Sequence, residues 1–296
     1  MNIEQENIKI AVVGGDCRQL YCARCLADKG FETALFGFDF CEDDFGFCTR
    51  CDNISDALNK AKIVVLPLPV SRDGALVTIQ HSLGSVDVEG LFSKTEKDAV
   101  VLGGNVSDKI KSIAQKHGIK IIDYFEREEL VVANAYLTAE SAIATAMNEI
   151  DYSLHDYPVL VMGYGRIGKC LCQLLKGMGV EVYASARKNQ DFEWIRAFGY
   201  SPVDTSKVSD VIGSCRLIFN TIPETVLDDN NLKLMHPESL IIDLASKPGG
   251  VDFESAKKNG IKVIWALSLP GKKMKRSAGR AVAETVMSIL NDEEVI

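Results

Sequence analysis

The run Val159-Leu160-Val161-Met162-Gly163-Tyr164-Gly165-Arg166-Ile167-Gly168 decides the fold. Four apolar residues predict a buried strand, glycines at G-x-G-x-x-G spacing follow, a helical stretch extends to about Gly177, and strand character resumes over 180–184. A strand, glycine loop, helix and strand in that order can hold the pyrophosphate of a dinucleotide. Gly163 permits the tight turn, Gly165 lets pyrophosphate approach the backbone, and Gly168 lets the helix pack close to the strand. The helix start adds amide donors and positive dipole. Tyr164, Arg166 and Ile167 complete the predicted cofactor loop.

The residues about 20 positions beyond the glycines select between nicotinamide cofactors, because an acid there binds the ribose hydroxyls of NAD. They read Ala184-Ser185-Ala186-Arg187-Lys188, with no acid. Ser185, Arg187 and Lys188 offer a hydroxyl and two cations suited to a 2′-phosphate, so NADP is favoured and NAD is the alternative. Thr221-Ile222-Pro223 and Asp243-Leu244-Ala245-Ser246 end later strands, at the carboxyl edge where α/β sheets bind ligands; the first of these is expected over the nicotinamide ribose.

Outward from this unit the alternation continues in both directions. Strands are predicted at 8–13, 31–37, 63–66, 99–102 and 120–122, then at 217–221, 240–244 and 262–266. Helices are predicted at 17–29 and 106–117, the latter closed by Gly118, and at 277–290. A small-residue-rich helix from Leu137 to about Ile150, with Thr138 as its cap, reads as a connector. The expected architecture is α/β: two Rossmann-like domains with mostly parallel sheets joined by interdomain helices. Residues 1–135 form the first, for substrate or partner, 136–155 the connecting helix and linker, 156–275 the NAD(P)-binding domain and 276–296 a C-terminal helix.

Composition agrees with this class: 296 residues suit two domains, and 47% hydrophobic with 25% charged residues is ordinary globular usage. The formal charge of −8 repels phosphate backbones, so nucleic acid is not an expected partner. The longest apolar run, near Ile63, is broken by Pro67 and Pro69, far short of the ~20 residues a membrane span needs. The first six residues are acidic where a signal peptide would be basic and then apolar. A cytoplasmic protein with no membrane partner is expected.

Nine cysteines include Cys22-x-x-Cys25 and Cys48-x-x-Cys51, the paired spacing of a zinc ribbon, with Cys17 and Cys41 nearby. Cys22 and Cys25 fall inside a predicted helix, whereas ribbon ligands sit on turns, so reduced thiols and no metal are expected, with zinc or an iron–sulfur centre as the alternative. The first turn, Gly14-Gly15-Asp16-Cys17-Arg18-Gln19, lacks the third glycine and places a carboxylate where phosphate would lie. Asp16 reads as a helix cap, and Arg18 and Gln19 are expected to face the interdomain cleft. One cofactor site is expected, not two. A 2-hydroxyacid dehydrogenase would place a histidine base near the last loops, but the four histidines are His81, His117, His155 and His236. No catalytic residue is assigned, and hydroxyacid oxidation is the runner-up. His117, before Gly118, is cap-like.

The segments Ile10 to Asp16 with Arg18-Gln19, Phe125-Glu126-Arg127, Gly163 to Gly168, Asn220 to Pro223, Asp243 to Gly250 and Leu269-Pro270-Gly271 occur in an order and spacing that resembles the dipicolinate synthase A-subunit family end to end. The resemblance implies two Rossmann-like domains and the two-electron aromatisation of a dihydrodipicolinate-type precursor to pyridine-2,6-dicarboxylate during sporulation. It also implies a partner, the flavoprotein-like B subunit of the same synthase. Ala266-Leu267-Ser268 and Ser71-Arg72-Asp73-Gly74 depart from the family pattern, at loops where substrate handling is expected. Such chemistry needs a hydride acceptor, loss of one ring proton and cations for two carboxylates. The candidates for this small dicarboxylate are Arg18, Lys247, Lys272 and Lys273, with Ser246 and the amides of Gly249 and Gly250. Alternatives are an NADP-dependent 2-hydroxyacid dehydrogenase-like oxidoreductase and a non-catalytic NADP-binding scaffold. Homo-oligomerisation is compatible with either.

Overall fold

A computed structural model describes residues 8–296, so the acidic residues at 1–6 lie outside the described residues. The chain divides into two compact units, Met1–Asn134 with Met274–Ile296, and Ala135–Lys273. In the first unit the strands are β1 (Lys9–Val13), β2 (Glu32–Phe36), β3 (Thr49–Cys51), β4 (Ile63–Val65), β5 (Val100–Gly103) and β6 (Lys120–Asp123). They form one parallel sheet in the order β3-β2-β1-β4-β5-β6. In the second unit β7 (Val159–Met162), β8 (Val182–Ala186), β9 (Ser201–Asp204), β10 (Leu217–Asn220), β11 (Leu240–Asp243) and β12 (Lys262–Trp265) are parallel in the order β12-β11-β10-β7-β8-β9. Each sheet therefore reverses direction beside its first strand, between β1 and β4 and between β7 and β10, and the crevice at such a reversal is where doubly wound sheets bind ligands.

The central strands are unbroken apolar runs because helices cover both faces. β4, β7, β10 and β11 are buried at every position, while the edge strands β3 and β6 are partly exposed. The helices are α1 (Cys17–Asp28), α2 (Ile54–Leu58), α3 (Val88–Lys94), α4 (Asp108–Lys116), α5 (Glu128–Met147), α6 (Arg166–Gly177), α7 (Asn189–Ala197), α8 (Asp229–Leu232), α9 (Phe253–Lys258), α10 (Leu269–Lys273) and α11 (Lys275–Asp292). Periodicity does not reveal β3 or β9. β3 is three residues long and polar, and β9 opens on Ser201-Pro202, which only an edge strand tolerates.

Two expectations are corrected here. Thr138 is not a cap: α5 starts ten residues earlier, at Glu128 and Glu129, whose acids complement the amide end of the helix. Among the described residues α5, rather than the apolar run near Ile63, is also the one helix long and apolar enough to cross a membrane by length and composition. Its apolar side chains are core residues, Leu130 in the first unit and Ala139, Ala142, Ile143 and Ala146 in the second. The closing helix α11 belongs to the first unit, where Val282, Ala283, Val286, Ile289 and Leu290 join the core with Leu20, Ala23 and Leu26 of α1.

Candidate functional site

The turn after β7 is shaped by contacts that only glycine allows. Gly163 has φ +91°, and a Cβ there would lie 2.4 Å from Thr221 Oγ1. A Cβ on Gly168 would lie 2.0 Å from the Gly163 carbonyl oxygen, so the first turn of α6 packs directly on the loop. Gly165 is different. Its φ of −81° suits any residue, and a Cβ there would meet nothing within 4 Å. Gly165 is also the N-cap of α6 and makes no side-chain cap, so no side chain of the cap residue covers the first-turn amides. Open space over an uncapped helix start is the cradle a pyrophosphate requires, and the donors present fit that group.

A cleft of about 410 Å³ lies over this loop. Of the predicted cofactor residues, Gly163, Tyr164, Gly165, Arg187, Lys188, Thr221, Ile222 and Pro223 line it. Arg166, Ile167 and Gly168 do not; they form the start of α6 beneath it. Ala186, Asp191 and Thr205 line it as well, and the sequence reading does not single them out. The signal for Asp191 is its place in the first turn of α7; Thr205 follows β9, which has no periodic signal. Thr221 closes the loop against β7: its amide and hydroxyl both donate to the Met162 carbonyl, at 2.9 and 2.8 Å.

Ser185 is a correction. It is fully buried, and its hydroxyl accepts from the Gly163 amide at 3.1 Å and from Thr205 Oγ1 at 3.3 Å. Strand alternation turns it inward, so it supports the glycine loop from below and the 2′-phosphate reading passes to Arg187 and Lys188 alone. Arg187 is 73% exposed and pairs only loosely with Glu224, at 3.7 Å. Burial pushes the Tyr164 hydroxyl up to about 12, so it is a neutral wall of the cleft. None of the histidines lines it. His81 and His117 belong to the first unit, and His117 is the C-cap of α4.

The substrate candidates scatter more. The loop after β11 is organised by buried Asp243, which accepts from Asn220 Nδ2 at 2.9 Å, the Ala245 amide at 3.1 Å and the Gly250 amide at 3.0 Å. The Gly249 amide donates to the Ser246 carbonyl at 2.8 Å. Both glycine amides are thus committed within the loop and are not free for a substrate carboxylate. Ser246, Lys247, Lys272 and Lys273 remain exposed side chains of the second unit, the lysines of α10 at its last turn. Arg18 lies in the first unit and is engaged: its guanidinium holds Asp16 at 2.7–3.0 Å and the Leu68 carbonyl at 3.1 Å. Asp16 caps α1 by accepting from the Arg18 amide at 2.9 Å, so a carboxylate fills the place a phosphate would take. Buried Gln19 donates to the Leu66 carbonyl at 2.6 Å and spans the crevice between β1 and β4. The cysteine pairs do not assemble. Among the described residues Cys22, Cys25, Cys48 and Cys51 form no group at ligand spacing, and Cys22 is fully buried on α1.

Comparison with known proteins agrees with this geometry. Residues 9–125 match the N-terminal domain of the dipicolinate synthase A-subunit, and residues 134–248 match the NAD-binding domain of D-isomer specific 2-hydroxyacid dehydrogenases. The dipicolinate synthase A-subunit of Bacillus subtilis (strain 168) is 30% identical over 284 residues, 96% of each chain. The crystal structure of the dipicolinate synthase A-subunit from Bacillus halodurans superposes with a TM-score of 0.85 at 29% identity, over 96% of this chain and 97% of that one. The corresponding crystal structure from Bacillus subtilis gives 0.84 at 30% identity, over 97% of both. The cleft lies within the segment that matches an NAD-binding dehydrogenase domain, and the chain belongs to the dipicolinate synthase A-subunit family.

Proposed function

We propose that the protein oxidises a dihydrodipicolinate-type precursor to dipicolinate, with NADP preferred over NAD, together with a flavoprotein-like B subunit in the cytoplasm of sporulating cells. The observation that carries this reading is the uncapped start of α6 with open space over Gly165, in a chain of this family. A bound nicotinamide supplies the two-electron acceptor, so that the precursor loses a hydride and a proton and its ring becomes aromatic.

The residues divide the remaining work. The amides of the glycine loop and α6 hold the pyrophosphate, Arg187 and Lys188 take the 2′-phosphate, and Thr221, Ile222 and Pro223 flank the nicotinamide end. Lys247, Lys272 and Lys273, with the Ser246 hydroxyl, are the donors exposed to two carboxylates. Arg187, Lys188, Asp191 and Tyr164 are the ionisable side chains lining the cleft, and there is no histidine among them. Aromaticity supplies the driving force that a tuned base would otherwise provide. The same observation favours, as the second reading, a cofactor-binding scaffold whose partner carries the chemistry.

Titration of the purified chain with NADPH and NADH, followed by nicotinamide fluorescence, tests the cofactor half. Tighter NADPH binding is expected; a preference for NADH overturns the phosphate assignment. The chemical half is tested by following NADPH formation from the precursor with the B subunit present. Loss of turnover in Gly165→Asp is expected, whereas full activity in that variant would establish the scaffold reading instead. Lys247→Ala should weaken dipicolinate binding by about tenfold, a single charge-assisted contact, and leave NADPH binding unchanged. Equal losses by calorimetry would remove Lys247 from the substrate site.

A further inference from the structure

Away from the dinucleotide cleft, metal-ligating side chains from three separate segments of the first unit converge. Cys17 is the first residue of α1, Cys41 and Asp43 follow β2, and His81 lies in the connection between β4 and α3. The sulfurs of Cys17 and Cys41 and a carboxylate oxygen of Asp43 all lie within 4.8 Å of one another. His81 Nε2 stands 3.4 Å from Cys17 Sγ, and Cys41 Sγ lies 4.0 Å from Asp43 Oδ2. Bonds of about 2.3 Å to sulfur and about 2.0 Å to nitrogen put neighbouring corners of a zinc tetrahedron roughly 3.5 Å apart, so the Cys17–His81 pair is at ligand spacing, while the imidazole stands outside the 4.8 Å group and has to swing toward Cys41 and Asp43 for all four to bind one ion.

The surroundings also match. The segments are tied by the Phe40 amide donating to the His81 carbonyl at 2.8 Å, and by the Phe38 and His81 rings stacking at 6.3 Å. Asp43 accepts from Tyr21 OH at 3.3 Å and from the Lys275 ammonium at 2.5 Å, the outer hydrogen bonds that orient a ligating carboxylate. Two thiolates and a carboxylate exceed a divalent cation by one negative charge, and Lys275 neutralises it. Two sulfurs, an imidazole and one oxygen select zinc over magnesium or calcium.

We propose that Cys17, Cys41, Asp43 and His81 form a structural zinc site that clamps the segment after β2 and the loop carrying His81 to the start of α1. Four protein ligands leave no open position, so the metal holds the fold of the first unit and takes no part in the redox step.

The test uses the full chain, stripped with a chelator, kept reduced with a phosphine and titrated with Co²⁺. One equivalent should produce a thiolate-to-cobalt charge-transfer band with tetrahedral ligand-field absorption, and Zn²⁺ should abolish both. Cys17→Ser and Cys41→Ser should each lose about half of the charge-transfer intensity, as one of two thiolates is removed, His81→Ala should change the ligand-field bands, and Cys51→Ser should keep both. Tyr21→Phe, outside the ligand set, should weaken binding by roughly tenfold. As a readout that needs no variant, Zn²⁺ should protect Cys17 and Cys41 of the unmodified chain from alkylation, read by peptide mass, and leave Cys51 labelled. An absent charge-transfer band, bands unchanged in both serine variants, or equal alkylation with and without Zn²⁺ would each overturn the assignment.

Discussion

Gly165 and Gly168 occupy the same motif for opposite reasons, and this makes them separable. A methyl on Gly168 meets the Gly163 carbonyl at 2.0 Å, so Gly168→Ala must push backbone apart and should cost about 1–3 kcal/mol as well as cofactor binding. A methyl on Gly165 meets nothing in the protein. Alanine is a poorer N-cap than glycine by about 0.5–1 kcal/mol, a loss offset by the lower entropy of its unfolded chain, worth about 0.4–1 kcal/mol. Gly165→Ala should therefore unfold within about 1 kcal/mol of the unmodified protein in a urea titration, yet lose NADPH affinity in fluorescence. A Gly165→Ala protein that binds normally would mean the space over that residue is not the pyrophosphate site. Arg187 makes a second test at this scale. Charge-assisted hydrogen bonds contribute about 1.5–3 kcal/mol, and discounting for the 73% exposure of Arg187 leaves about tenfold weaker NADPH binding in Arg187→Ala, with NADH unaffected. Equal weakening of both cofactors would assign Arg187 to the shared part of the dinucleotide. The glycine roles are legible in the sequence because each follows from spacing alone. The role of Ser185 is not, because distance along the chain locates the strand end but not which face its hydroxyl joins; Ser185 takes the inward face of β8, and Arg187 lies beyond the last paired residue.

Elements are readable where their patterns are long or doubly buried, and obscure where neither holds. β7 has its predicted bounds because Val159 to Met162 is buried on both faces, while β8 begins two residues later than its apolar run, at Val182. The polar loop after β11 carries no periodicity, and a buried carboxylate makes three of the hydrogen bonds that order it. Asp243 accepts hydrogen bonds from Asn220, Ala245 and Gly250 while fully buried, and so ties the end of β11 to the end of β10. Asp243→Asn would set an amide NH₂ against one of these donors. The expected loss is about 2–3 kcal/mol, the range for a broken buried hydrogen bond to a charged group, measured as a lower urea midpoint with an unchanged slope. A loss below about 0.5 kcal/mol would show that the loop is held elsewhere.

At the scale of the whole chain the same strand order occurs twice, and the two first turns are filled differently. Both sheets reverse beside their first strand, but between β1 and β4 Asp16 caps α1, Arg18 grips that cap and Gln19 bonds Leu66, so protein groups take the place of phosphate. The missing third glycine and the acid at position 16 announce this in the sequence. Nothing announces the return of the chain terminus to the first unit, since the apolar spacing of α11 says that it packs but not against what. Its partner is set by Gly279, where a Cβ would lie 2.5 Å from the Arg18 carbonyl oxygen and from Tyr21 Cβ, so α11 crosses α1 backbone against backbone. Gly279→Val must force that crossing open, with Val282, Ala283 and Val286 losing contact with the α1 side of the core. An overpacked crossing of this kind should cost about 1–3 kcal/mol or more, all of it in the first unit. Because the dinucleotide cleft is built wholly from residues of Ala135–Lys273, NADPH affinity should be retained while hydrogen exchange accelerates in α1, α11 and β1. If exchange instead rises equally in both units, or NADPH binding is lost in parallel, the two units unfold as one cooperative body and the helix crossing supports the cofactor site as well.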